Sequence, residues 1–173
     1  MTDKLAKNLE ILKDRLHVAS VLCNKTAIYY GRLKNLLLFP NLLLSSVSMI
    51  FNNQNFPPDV LKYYNTVVNA LTVFLIAIMN QLKISENNDL FKNTSNSLLS
   101  LLHDIENHEM KENSAISSEY IANCNQKYDM LMGGLPNIPS RISNSVRNEY
   151  GGRYHLPIII NGVPKVSISS DEV

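Results

Sequence analysis

The side chains from which a catalytic or metal centre would be built are four histidines, two cysteines and fifteen carboxylates. Their spacing offers no such centre. His103 and His108 are five apart, which sets them on different faces of a helix. His17 follows Asp14 by three residues, a spacing at which the two could pair on a helix surface. His155 has no acidic or thiol neighbour in sequence. Cys23 and Cys124 fit neither a local metal-ligand spacing nor a disulfide framework, and are expected as free thiols on a reducing side. A Gly-rich phosphate loop, a nucleophile elbow and an HExxH motif are all missing. No catalytic residue, metal ligand or cofactor is therefore expected, although a constellation assembled from distant residues would not show in such spacings.

A second kind of chemistry lies in polar side chains set inside apolar runs. Asn41, Ser45 and Ser48 fall on one face of the first run, and Asn69, Thr72 and Asn80 fall near one face of the second. An amide in hydrocarbon is costly unless paired, so these faces should meet protein or water, not lipid. Interhelical hydrogen bonding with close packing of small residues is the reading we favour. The sharper one is a water-lined path through an oligomer.

The elements that must position these residues follow from the pattern of charge. Leu5, Leu9, Leu12, Leu16, Ala19, Cys23, Thr26, Tyr30, Leu33 and Leu37 recur at alternating spacings of four and three, with Lys7, Lys13, Asp14 and Lys25 off the seam. That stripe predicts a long helix packing on other helices, over residues 1–35. Residues 35–58 then carry no charge. Within them, 36–51 is a first candidate membrane span of sixteen residues, reaching roughly 24 Å against a hydrocarbon layer of about 30 Å. Tyr29 and Tyr30 at an interface would help cover the shortfall. At Pro40 either the span kinks or a new, shorter helix begins. Residues 52–62, with their asparagines and Pro57-Pro58, read as a turn, and 63–82 as a second uncharged span.

Residues 83–134 turn amphipathic again and read as a helical cytoplasmic region, with Phe91, Thr94, Leu98, Leu101, Ile105 and His108 on one stripe. Asp104, Glu106, Glu109 and Glu112 are expected to be a solvated face. A further helix over 114–132, with Tyr120, Cys124, Tyr128 and Leu131 on one side, should end at Gly133-Gly134. Residues 135–173 form a segment punctuated by proline and glycine: Ser140 could cap a short helix through Glu149, 155–163 is expected to be extended with a turn at Asn161-Gly162, and the end is a polar tail. The fold class expected is all-α: a hairpin of two membrane helices with long amphipathic flanking helices and an extended C-terminal tail. A soluble four-helix bundle with two buried helices is the alternative.

Composition narrows the function. A net charge of +1 argues against a nucleic-acid partner, which needs a basic face. Residues 1–10 carry both charge signs and lack the apolar core of a secretory signal, and Thr2 excludes N-myristoylation. Lys25, Arg32, Lys34, Lys83 and Lys92 outnumber Lys62 across the two runs, so both termini should face the cytoplasm. The sequons Asn24-Lys25-Thr26 and Asn93-Thr94-Ser95 would then go unused.

The order CNKTAIYYGRLKNLLLFP, paired apolar runs, an amphipathic helix, KYDMLMGGLPNIPSRI and LPIIINGV resembles the SLATT family of two-transmembrane proteins, especially versions encoded by large double-stranded DNA viruses. The resemblance runs from about Leu9 to Val163; Ala27 to Tyr30, Pro40, Tyr128 to Ile142 and Leu156 to Gly162 carry it most specifically. The chain departs from that pattern in having no tryptophan and no glycine near 46–53. The resemblance implies a membrane protein that forms a homo-oligomer, and bacterial relatives are regarded as membrane-disrupting or pore-forming effectors. The function expected is a structural one, in the internal membrane of a virion, linking the lipid bilayer to capsid proteins or to further copies of the chain. A pore-forming effector is the alternative.

Overall fold

A computed structural model describes residues 2–54, 56–110 and 117–161. They form α1 (Thr2–Asn52), α2 (Pro58–Gln81), α3 (Ile84–Met110), α4 (Ser118–Gly133), α5 (Ser140–Tyr150) and α6 (Ile158–Asn161), with no strand among the described residues. The expected all-α class is what is found.

α1 is one helix of 51 residues and runs through Pro40 without a break. The apolar run is thus an extension of the heptad helix, not a separate short one. The turn that follows is shorter than its composition suggests. Pro58 already belongs to α2, because the fixed φ of proline and its missing N–H suit the first helical turn, where Asp59 also favours the dipole. Phe51 stacks on Phe56 and Tyr64 at 5.1 and 4.4 Å, and the Asn65 side-chain amide donates to Asn52 Oδ1 at 3.0 Å. α2 stops at Gln81. Lys83 adopts a left-handed conformation, φ 46°, and the Asn87 side chain donates to the Leu82 carbonyl, so the chain re-enters a helix after two residues.

The chain divides into two compact units, one of Met1–Lys25 with Lys92–Val173, the other of Thr26–Phe91. In the first, the seam residues Leu9, Leu12, Leu16, Ala19 and Cys23 are buried, as are Leu98, Leu101 and Ile105 of α3 and Ile121, Cys124 and Tyr128 of α4. Ser95 joins α3 to α1 by donating to the buried Ser20 carbonyl at 2.9 Å. α1 also buries a second face. Val18 and Leu22 pack with Val146 of α5 and Ile160 of α6, flanked by Ile138, Ile142, Tyr150 and Leu156.

Two expectations are corrected along that second face. Residues 158–161 are helical, not extended, because Pro157 opens a turn that drives Ile160 into the core, 1% exposed; burial overrides the β-propensity of three successive isoleucines. The Arg147 guanidinium donates to the Ile160 carbonyl and closes that turn. Ser140 does not cap α5: Pro139 holds the cap position and no side-chain bond is made there. The cap lies instead on α4, where Ser117 Oγ accepts from the Tyr120 N–H at 3.1 Å. The expected start of that helix at Ser114, the acidic Glu112, Gly162 of the expected turn and the polar tail lie outside the described residues.

Candidate membrane interface

Two stretches, within Lys4–Asn52 and Pro58–Met110, are long and apolar enough to cross a membrane. In the most apolar 18 residues of the first, none is buried by the protein; in the second, 11% are. A core helix of a soluble bundle would show the reverse. Leu36, Phe39, Leu42, Leu43, Val47, Met49 and Ile50 of α1 are exposed, as are Val60, Tyr63, Val67, Leu71, Val73, Phe74 and Ile76 of α2 and Leu82 just after it. Transfer of these fifteen half-exposed side chains out of water, at about 1 kcal/mol each, is worth on the order of 15 kcal/mol. That matches the upper end of the whole stability of a typical domain.

Within the unit Thr26–Phe91 each helix also has a less exposed stripe. In α1 it comprises Leu37, Asn41, Leu44, Ser48 and Phe51, at spacings of four, three, four and three, so the seam of the first half is carried on to the end of the helix. In α2 it comprises Leu61, Tyr64, Val68, Thr72, Leu75 and Met79. The hydrogen bonds between helices lie at the ends: Asn65 with Asn52 at one, and Lys34 Nζ with Ser85 Oγ at 3.0 Å at the other. Tyr30 stacks on Phe91 beside the second, with ring centres 5.9 Å apart.

The six polar residues expected to join the two runs divide between these surroundings. Asn41, Ser48 and Thr72 sit on the covered stripes, whereas Ser45, Asn69 and Asn80 are exposed. Ser45 Oγ donates back to the Asn41 carbonyl at 2.9 Å, as Ser46 does to Leu42, which satisfies both hydroxyls within α1. Among the described residues no hydrogen bond links the Asn41, Ser45, Ser48 set to the Asn69, Thr72, Asn80 set. Asn41 Oδ1 and Tyr64 Oη are buried without a partner.

The residues that could do other chemistry are placed as follows. His17 lies against the rings of Tyr150 and Tyr154, at 6.1 and 5.6 Å, while the Asp14 carboxylate accepts from the His155 backbone N–H at 3.2 Å. The Asp14 to His17 pairing that their spacing allowed is thus replaced by contacts to the C-terminal segment, which sequence neighbours alone do not indicate. His108 stacks on Tyr120 at 4.1 Å, and His103 Nδ1 is 3.8 Å from Glu106. Cys23 and Cys124 are free and buried, and burial pushes the Cys23 thiol up to about 12, away from thiolate chemistry. Burial likewise holds the Tyr128 hydroxyl at about 12. Asp104, Glu106 and Glu109 are exposed as expected, with Glu109 paired to Lys13 at 2.9 Å. No group of three metal-ligating side chains occurs among the described residues. No family model, no curated protein and no solved structure matches the chain.

Proposed function

We propose that the chain is an integral membrane protein whose two spans, the second half of α1 and α2, form a hairpin that anchors a helical domain at the bilayer. The observation that carries this is the contrast within α1, which buries Leu9, Leu12, Leu16 and Leu22 in its first half and exposes Leu36, Leu42 and Leu43 in its second. The antiparallel order of the contacts, Asn52 with Asn65 and Lys34 with Ser85, supports the hairpin. Lys25, Arg32, Lys34, Lys83 and Lys92 on the terminal side, against Lys62 at the turn, support cytoplasmic termini.

The role we assign is structural. Helices α3 to α6 bury their apolar stripes and leave exposed acidic and basic side chains suited to protein contacts. Together with the resemblance to viral SLATT-like proteins, this supports a role in the internal membrane of a virion, where the chain would link the bilayer to capsid proteins or to further copies. The unpartnered Asn41 Oδ1 favours a second reading, a pore in which water serves that atom. The spans, however, carry no Asp, Glu, Lys, Arg or His over 35–58 or 63–82 to attract ions.

Cysteine labelling of sealed vesicles with an impermeant maleimide tests the topology. Asn53→Cys should react from the side opposite to Lys7→Cys and Glu149→Cys; reaction of all three from one side would sink the two-span reading. Planar bilayers decide between anchor and pore. We expect no conductance, and reproducible unitary currents abolished by Asn69→Leu would overturn the structural role.

A further inference from the structure

The exposed surface of α2 has two chemically different faces. One presents Val60, Val67, Leu71 and Phe74, all large and apolar, as lipid requires. The other presents Thr66, Asn69, Val73, Ile76 and Asn80, all exposed and spaced three, four, three and four apart, with the small Ala70 and Ala77 beside them. Thr66 is satisfied by its own helix through the Lys62 carbonyl. The side-chain amides of Asn69 and Asn80 have no hydrogen-bond partner among the described residues. Asn69 lies near the midpoint of α2, where headgroups and water are out of reach.

We propose that two copies of the chain pair through this second face of α2, with Asn69 bonded to Asn69 of the other copy. The inference rests on the membrane reading above. Hydrogen-bond complementarity identifies the occupant. An amide carries a donor and an acceptor, so the same amide on a second copy, related by a two-fold axis, satisfies both, whereas acyl chains satisfy neither. The charge asymmetry inserts every copy the same way round, so paired α2 helices are parallel and equal residue numbers meet at equal depth. The three-four spacing is that of a left-handed helix pair, and a polar residue on such a seam fixes its register. The covered stripe of α2 is turned away from this seam, so pairing leaves the contacts to α1 in place.

The full chain in liposomes, bearing single added cysteines, tests this. The native Cys23 and Cys124 are buried, so wild type serves as the background. Under mild oxidation Asn69→Cys and Val73→Cys should give covalent dimers, and Phe74→Cys should not. Equal cross-linking from Phe74→Cys would overturn the proposal. So would Val73→Cys, which keeps the Asn69 amide, remaining monomeric in protein that resists alkaline carbonate, since another protein or lipid would then cover the face. Release of the protein by carbonate would remove the membrane reading and the interface together. Asn69→Leu should raise the dimer dissociation constant about 3- to 30-fold, and Asn69→Gln less. An unchanged constant for Asn69→Leu would also contradict the pairing.

Discussion

The two halves of α1 share a leucine-rich seam and differ in everything around it. Leu9, Leu12 and Leu16 are at most 1% exposed, whereas Leu36, Leu42 and Leu43 are 56–66% exposed. Off the seam, the first half places Lys7, Asn8, Glu10 and Lys13, and the second places Phe39, Leu42, Val47 and Ile50. A helix with one apolar stripe is covered by protein along that stripe and solvated elsewhere. A helix apolar all round needs an apolar medium on every side. The seam therefore shows that α1 has helical neighbours, and the residues between the seam positions set its two halves apart.

The largest expected effect breaks this comparison directly. Leu16→Asp places an unpaired charge in a core position at 0% exposure and should cost more than about 4 kcal/mol, enough to unfold the unit. Leu42→Asp, at a site 65% exposed, should leave thermal unfolding in detergent nearly unchanged. It should instead impair membrane insertion by about 3 kcal/mol in apparent free energy. Equal unfolding by the two variants would mean that residues 36–51 form an ordinary core.

A smaller effect sharpens the comparison at the second buried face. Ile160→Ala, at 1% exposure, should lower stability by about 2 to 3 kcal/mol. Ile158→Ala, two residues away and 74% exposed, should change it by less than about 0.5 kcal/mol. Chemical denaturation of both variants checks whether α6 belongs to the fold.

The smallest effect concerns the Lys25 to Glu149 pair, which joins α1 to the end of α5. The hydrogen bond from the Lys25 ammonium holds the Glu149 carboxyl below its usual value, so its contribution is present above the ordinary glutamate range and lost as pH falls through the lowered value. Wild type should therefore lose its slight advantage in melting temperature over Glu149→Gln on acidification from pH 7 to pH 3. A constant difference would show that the pair contributes nothing.

Most of the first unit was legible because soluble amphipathic helices write their buried stripe into the spacing. Leu9 to Thr26 and Phe91 to Ile105 are buried where the pattern put them. The Val18 and Leu22 face is not legible in the spacing because its partners, Val146 and Ile160, lie more than a hundred residues away in sequence. The only local signal was a pair of apolar residues four apart off the seam. The polar residues of the two apolar runs were legible as exceptions but not in their direction. A helix that is apolar on all sides has no contrast between a polar and an apolar face. Nothing in its spacing then separates the side toward α1 from the exposed sides, so Asn69 and Thr72 look alike in sequence.

Nitroxide scanning of α1 in liposomes, residue by residue from Leu33 to Phe51, tests the central claim most directly. Phe39, Leu42, Leu43, Val47 and Ile50 should be accessible to oxygen and shielded from a water-soluble nickel complex. Leu37, Leu44 and Ser48 should be shielded from both, with a period near 3.6 residues. Accessibility of Leu42 and Leu43 to the nickel complex at the level of Asn8 or Glu10 would contradict a membrane span in the second half of α1.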